Sequence, residues 1–373
     1  VGLEIHIPRP MLKQTLAKAR VMSLSCVNPI RLDNASILTI GSTVSEGAVI
    51  EVPPECQVAL LLEDSSLIRL PSGATLEIRT LRKNLIETAP EVRLFLTRGR
   101  IELDVNKQGR SPSIPFEVKT PISVMGVRGT KFRVGYSPDD KEGQVEVLGG
   151  IVETRGSADD LSRPINKGFG VPINAQGNAL NIEKLLPPPT YNSFQVTQGT
   201  PSSYVVNLVA VKDANYYIAN IASTANLSGT HNSENLLAPE IFIPRLTKQA
   251  VFYQLTSVSQ SGLIGDEQNY AFCSSTTDTV NSRCTVVFDA PLAFSSSMSF
   301  SLARLNNNTV DPIVQTQTLQ AKNGRFALQG LPPGHYQWSL SYNLSPSLGI
   351  QSNDTNVRQS GIFELITLPS HQP

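Results

Sequence analysis

The sequence predicts an all-β chain built from several sandwich-type domains, and three observations carry that prediction. Short apolar–polar alternations recur through most of its 373 residues. Gly, Pro and Ser turns separate them at short intervals. Only 17% of residues are charged, while Ser, Thr, Asn, Gly and Pro are abundant, a balance that suits turn-rich sandwiches better than helical bundles. A chain of this length is expected to divide into two or three domains.

Residues 1–28 open with "LEIHIP" and "MLKQTLAKARVMSL". Leu12, Leu16 and Ala19 would share a helical face, but the stretch is short and follows Pro10, so it reads as an extended lead-in. From about Pro29 the period is two. Ile68 and Leu70 flank Arg69, and Leu76 and Ile78 alternate with Glu77 and Arg79 after the turn Pro71-Ser72-Gly73. Val92, Leu94 and Leu96 form another such set, and Ile101, Leu103 and Val105 follow Gly99. Phe116 and Val118 lead into "TPISVMGVRGTKFRV", and Val145 and Val147 come after it.

The bend inside that stretch superficially suggests a phosphate cradle, with Gly126, Val127, Arg128, Gly129, Thr130 and Lys131 in a row. The spacing is not that of a phosphate loop, and no helix follows to face the anion. Phe132, Val134 and Tyr136 instead alternate with Lys131, Arg133 and Gly135, so the bend joins strands.

The alternation fades in "NKGFGVPINAQGN", and "LLPPPT" at 185–190 reads as a semi-rigid spacer. The expected division is a lead-in (1–28), a first β-domain (29–160), a Pro-rich linker (161–190) and two small sandwiches (191–289 and 290–373). The last two share a weak likeness between "IPRLTKQAVFYQLTSVSQSGLIG" and "LQGLPPGHYQWSLSYNLSPSLGI", which reads as one plan used twice.

Charge excludes several classes. With 31 basic and 31 acidic residues there is no global field for nucleic acid or an anionic membrane. No apolar run approaches the roughly 20 residues of a membrane span. The chain starts at Val1 without a signal peptide and is expected to be a mature, processed or truncated form. Its four cysteines form no C-x-x-C, and His6, His231, His335 and His371 are scattered, so no metal site is expected. Cys273 and Cys284 read as a hairpin staple, and Cys26 and Cys56 are expected to tie the lead-in to the first strands; free thiols are the alternative. Disulfides would imply an oxidising compartment.

The run "LLLEDSSLIRLPSGATLEI", "LFLTRGRIELDV", "PFEVKTPISVMGVRGTKFRV" and "GQVEVLGGIVETRG" resembles the FecR domain of Gram-negative envelopes over roughly residues 40–156. The V-R-G-T-x-F core spans Val127 to Phe132, and Ser65 stands where that family usually has Gly. The chain is similar to the subset that joins an upstream LysM module to a FecR domain and fibronectin-III-like repeats, "LEIHIP" at 3–8 resembling the end of a LysM module. "VAVKDANYYIANIAS" resembles a strand pair of those repeats, though without their Trp, and the third block also suits transthyretin-like sandwiches. The resemblance implies a FecR-type sandwich or jelly roll followed by two small fibronectin-III-like sandwiches. It also implies envelope scaffolding or signal relay without catalysis, in the periplasm or at the outer membrane, with peptidoglycan bound only through a LysM module that would precede Val1. Iron citrate signalling is not implied, because nothing in the 373 residues corresponds to the founding member's membrane helix and cytoplasmic segment.

Few residues invite chemistry. Arg128 is either a cation shown to a partner or a guanidinium tying the bend's carbonyls, and the second reading is preferred. Gly126 and Gly129 are expected to permit positive φ. "SPDDKEG" (137–143) and "SADDLS" (157–162) lack calcium-hand spacing and read as solvated turns. Glu63 and Asp64 would need a partner carboxylate to act as a glycosidase pair. Tyr336 and Trp338 share a strand face, expected to plug a core. The uncharged run "SYVVNLVAV" (203–211) is either a central strand or an edge whose Val206 and Leu208 meet a neighbour, in the manner of strand addition.

Three readings follow. The first is a non-catalytic envelope scaffold binding protein partners, a second copy of itself among them. The second is a periplasmic accessory presenting its FecR domain to a membrane sensor or transporter. The third is an envelope carbohydrate-active enzyme, disfavoured because no His, Asp, Glu and Cys set converges. No cofactor is expected.

Overall fold

The computed structural model describes the chain apart from residues 1–12, 27–28, 33–35, 85–86, 88, 108–113, 198–202, 228–229, 276–282, 290–297, 307–308, 312–316, 320–324, 344–355 and 370–373. The LysM-like stretch 3–8 therefore lies outside the described residues. Two compact units divide the chain, Val1–Glu183 and Lys184–Pro373. Among the described residues there is no helix, and the all-β expectation holds.

The N-terminal unit begins with β1 (Gln14–Leu16), β2 (Ala19–Ser25), β3 (Thr43–Val44), β4 (Val49–Glu51) and β5 (Gln57–Leu62). Next come β6 (Leu67–Leu70), β7 (Thr75–Asn84), β8 (Glu91–Asp104), β9 (Phe116–Thr120) and β10 (Ser123–Val127). It closes with β11 (Lys131–Ser137), β12 (Glu142–Gly149), β13 (Ile151–Gly156), β14 (Arg163–Asn166) and β15 (Phe169–Ile173).

These strands form two sheets that share the long β8. One runs β14-β13-β10-β9-β8-β7, with β1 and β4 beyond β7; the other runs β15-β12-β11-β8-β6-β5-β2-β3. The first half of β8 pairs with β7 and, in parallel, β9, while residues from Gly99 onward pair with β11. Gly99 sits at the handover with φ 79°, and a Cβ there would lie 2.8 Å from Ala74 Cα. Only glycine fits such a corner, where one strand passes between packed sheets. The period-two residues read from the sequence point inward from both sheets: Leu76, Leu94 and Val118 meet Ile68, Leu103, Phe132 and Val145 in one buried core.

Two expected boundaries move. The lead-in supplies β1 and β2, and β2 pairs with β5 and buries Ala19 and Val21 in the core. The expected linker supplies β14 and β15, which continue the two sheets next to β13 and β12. Both segments are short or rich in turn residues, so their own pattern is weak; pairing with strong neighbours decides them.

At the boundary between the units, β16 (Glu183–Lys184) pairs with β15 as the last strand of its sheet. In the C-terminal unit there follow β17 (Thr190–Thr197), β18 (Ser203–Val209), β19 (Ala214–Ala222), β20 (Thr230–Leu236), β21 (Glu240–Ile243), β22 (Val251–Ser259) and β23 (Ile264–Ser275). Sheet β17-β18-β21 faces β20-β19-β22-β23, the strand order of a fibronectin-III-like sandwich. The remainder is β24 (Cys284–Asp289), β25 (Met298–Asn306), β26 (Thr309–Asp311), β27 (Gln317–Leu319), β28 (Arg325–Leu331), β29 (Gly334–Asn343) and β30 (Asn356–Pro369).

Here β24 pairs with β28, and β26-β25-β29-β30 forms the second layer. The strands β22 and β29, which carry the internal likeness, hold equivalent places in the two layers. Phe288, Phe300 and Trp338 interlock, Trp338 lying 5.4 Å from Phe288 and only 5% exposed, so the tryptophan is the expected core plug. The two β-layers join where β23 runs parallel to β30, from Tyr270 opposite Glu364 to Ser275 opposite Pro369. The proline stretch is docked within this unit: Ser257 Oγ donates to Pro187 O (2.8 Å) and Asp266 N–H to Leu186 O (2.9 Å).

Both disulfides are present, Cys26–Cys56 and Cys273–Cys284, with Cα separations of 4.4 and 6.2 Å. The second is not a hairpin staple. Cys273 ends on β23, whereas Cys284 opens β24, whose partner is β28. The boundary expected at 290 thus falls before 284, and the bond stitches one sandwich to the first strand of the next. Closing a loop with a sequence separation of 11 stabilises by about 2–3 kcal/mol in the chain-entropy model. Cys273→Ala with Cys284→Ala is expected to lower the denaturation free energy of the C-terminal unit by about that amount. Intact mass under non-reducing conditions should be lower by two hydrogens per bond, and free thiols at both positions would refute the pairing.

Candidate functional site

The segments that carry the FecR resemblance converge on one corner of the N-terminal unit. The Val127–Lys131 bend is not a hairpin, because β10 pairs with β9 and β13 while β11 pairs with β8 and β12. It is a crossing from one sheet to the other. The chain crosses back at Gly149-Gly150, between β12 and β13. The two crossings are tied: Thr130, buried at 3% exposure, donates from Oγ1 to Ile151 O at 2.9 Å.

Two further turns lock onto this pair. Val105 N–H donates to Thr130 O (3.0 Å), and the next residue, Asn106, reaches the Asp64–Ser66 turn. Its backbone N–H donates to Ser66 Oγ (3.0 Å) and its Nδ2 to Asp64 O (2.8 Å). Asp64 closes its own turn by accepting Ser66 N–H at 3.0 Å. Ser65 takes φ 65°, the left-handed conformation that favours glycine.

The two motif glycines differ. Gly129 has φ 76°, and a Cβ built on it would overlap Lys107 Cβ and lie 2.9 Å from Lys107 Cα. Gly126 does not have positive φ, and a Cβ there meets nothing within 4 Å. The expectation of a strained backbone at Gly126 is therefore corrected: it is an ordinary strand residue of β10. Arg128 is exposed and makes no hydrogen bond or ion pair among the described residues, so the bend is held by Thr130 and backbone groups rather than by guanidinium. Val127 and Phe132 flank it as core residues.

Alternation placed Arg133 and Glu146 on a solvated face, but the structure buries them, at 6% and 0% exposure. They belong to a row of alternating charge across four adjacent strands: Arg69, Glu102, Arg133 and Glu146 stand in register on β6, β8, β11 and β12. Arg69 Nη1 lies 2.7 Å from Glu102 Oε1, Lys131 Nζ 3.4 Å from the same oxygen, and Arg100 Nη1 2.5 Å from Glu146 Oε1. Opposite charges directly across strands are favourable pairs, and sequence gave no sign of them because register sets who faces whom.

Burial pushes the Glu102 carboxyl up, yet Arg69, Lys131 and Arg133 together hold it down to about 2. A carboxyl held below its ordinary value stabilises the fold fully above that value and loses the contribution as pH falls through the depressed one. The N-terminal unit should therefore lose stability between about pH 4.5 and 2, and Glu102→Gln should flatten that limb in urea denaturation. An unchanged acid limb in the variant would show that other carboxylates dominate.

The remaining candidates have structural duties. Glu63 faces Lys83 Nζ at 2.5 Å and accepts Lys18 N–H, and Asp64 serves its turn, so the two do not form an acid–base pair. Asp139 faces Arg98, Asp140 accepts from Ser137 Oγ, and Asp159 accepts Gly156 and Ala179 N–H. Among the described residues no group of three His, Cys, Asp or Glu side chains is placed to hold a metal, and no helix is long and apolar enough to cross a membrane. Val206 and Leu208 are not at an edge: β18 lies between β17 and β21, and both side chains are buried at 0% and 5% exposure. Absence of charge there reflects core position.

Residues 48–153 match the family model described as FecR protein. No curated protein matches the chain. Among solved structures, a Parabacteroides distasonis protein described as an anti-sigma factor is 20% identical in two crystal structures, covering 36% of this chain with a TM-score of 0.30. This chain spans 59% of that protein's length. A two-domain fibronectin type-III segment of chicken tenascin is 14% identical, covering 48% of this chain and 99% of its own, with a TM-score of 0.19.

Proposed function

We propose that the chain is a non-catalytic binding protein of the cell envelope, working in the periplasm or at the outer membrane through protein–protein contacts. The match of residues 48–153 to the FecR protein family carries this reading. Two disulfides fit it, since such bonds persist in oxidising, extracytoplasmic compartments. The motif residues support it too, because Thr130, Asn106 and Asp64 spend their polar groups on the fold. A second reading, an accessory that presents the FecR-type unit to a membrane sensor or transporter, draws on the same match and differs only in the partner.

The test is in the native envelope. Photo-crosslinking residues placed singly at exposed positions on both units should give discrete protein adducts in the periplasmic or outer-membrane fraction. Recovery of the chain in the cytoplasm, or a surface that yields no adduct anywhere, would overturn the proposal. A sensor or transporter among the adducts would select the second reading.

A further inference from the structure

Among the described residues, many cations of the N-terminal unit are neutralised within it. Arg69, Arg82, Lys83, Arg93 and Arg98 each face a carboxylate. Other exposed cations without a side-chain partner among the described residues, such as Lys13, Lys18, Lys141 and Arg155, are spread over the unit, whereas the corner where the turns converge gathers three. Lys107, Arg128 and Lys167 are exposed, and their side chains make no hydrogen bond or ion pair among the described residues.

The fold brings these three together. Lys107 packs its stem where a Gly129 side chain would be, and Arg128 is the residue before it. Lys167 donates its backbone N–H to Gly150 O at 3.1 Å, and a Cβ on Gly150 would lie 2.9 Å from Gly129 O. Beside them sit two apolar side chains left in solvent, Ile151 at 53% and Phe169 at 38% exposure. Extending the β10–β13 register by one residue from Val127 opposite Val152 sets Arg128 against Ile151. Gly126, on the same strand face as Arg128, has nothing within 4 Å of a Cβ, but Glu117 and Glu153 stand directly across from it on β9 and β13. The two glutamates bound the corner on that side, so the place open to an acidic segment ends at Arg128.

We propose that this corner docks an extended, acidic segment of a partner protein. Its carboxylates would meet Lys107, Arg128 and Lys167, and an apolar side chain would cover Ile151 and Phe169. Charge complementarity selects the occupant. Three cations, in a chain of formal charge zero, are too few for the broad field that nucleic acid or an anionic bilayer calls for. An arginine set against an exposed isoleucine is instead a small protein-contact surface, an apolar centre with a charged rim. The acidic neighbours set limits: Asp104 stands opposite Lys131, Glu117 faces Arg93 and Lys119, and Glu153 lies two residues along β13 from Ile151, opposite Gly126. Glu153 should therefore keep the segment's acidic residues at the corner.

This inference rests on reading the chain as a binding protein, and its test separates the two. A random twelve-residue peptide library displayed on phage is panned on the full chain and, in parallel, on the Lys107→Glu, Arg128→Glu, Lys167→Glu variant. Among the described residues none of these side chains makes a polar contact, so an unchanged melt is the first control. The expected result is enrichment of peptides combining Asp or Glu with an apolar residue. A synthetic copy of the best should bind at least tenfold more weakly to the variant and weaken with salt. No enrichment, enrichment without acidic residues, or equal binding to the variant would overturn it, as would phosphatidylglycerol vesicles capturing the chain through these residues. If envelope cross-links form from other surfaces while the corner fails, the binding reading stands and only this surface falls.

Discussion

Gly129→Val should destabilise the N-terminal unit by about 3–5 kcal/mol, from a β-branched residue forced to positive φ and overlap with a packed neighbour. The site is fixed on both counts, with φ 76° and Lys107 Cα 2.9 Å from an added Cβ. The turn is also tied to Ile151 and, through Val105 and Asn106, to Asp64 and Ser66, so the damage should spread to the Asp64–Ser66 and Gly149–Ile151 segments. Gly126→Val, only three residues away, is the control: with open space and ordinary φ it should change stability by about 0.5 kcal/mol or less. The chain has one tryptophan, Trp338, in the C-terminal unit. Its fluorescence transition should stay in place while circular dichroism of the whole chain shows an early loss. Equal effects of the two substitutions would mean that the crossing does not need glycine.

Arg100→Met should cost about 2–4 kcal/mol, because it strips a partner from a carboxylate that has no route to water. Glu146 is 0% exposed and lies 2.5 Å from Arg100, which is itself 25% exposed. Arg133, in register beside Glu146, compensates in part and keeps the cost below the largest values known for broken buried pairs. Adding Glu146→Leu should restore much of the loss, since an apolar pair of similar volume removes the stranded charge. Urea denaturation of the two single variants and the double variant gives the coupling directly. A single Arg100→Met variant as stable as the parent would show that Arg133 alone satisfies Glu146.

The failures of alternation are instructive. Arg133 and Glu146 read as solvent-facing by period, and by period they do face outward. They are nonetheless buried, because the outer face of that sheet packs their long side chains against one another across neighbouring strands. Likewise "SYVVNLVAV" lacks charge whether it is a core strand or a sticky edge; its two neighbours, β17 and β21, are what make it core. Cys273 and Cys284 were legible as partners, but not the strands they join, since eleven residues can close a hairpin or step between sandwiches.

Sequence alone determined what each stretch does locally. Period two, turn residues and spaced cysteines settled that the chain is all-β, which side chains fill the N-terminal core, that the Val127–Lys131 bend joins strands and that Trp338 is core. These follow from the pleat and from φ preferences, which act between residues close in the chain. Only the tertiary structure decided which strands are neighbours. It made the Val127–Lys131 bend a sheet-to-sheet crossing, drew the lead-in and linker into the sheets, and brought Lys107, Arg128 and Lys167 from distant segments to one corner. The physical reason is that pairing and register are set by the burial of whole sheet faces against each other, a long-range balance that a single strand's pattern permits but does not choose.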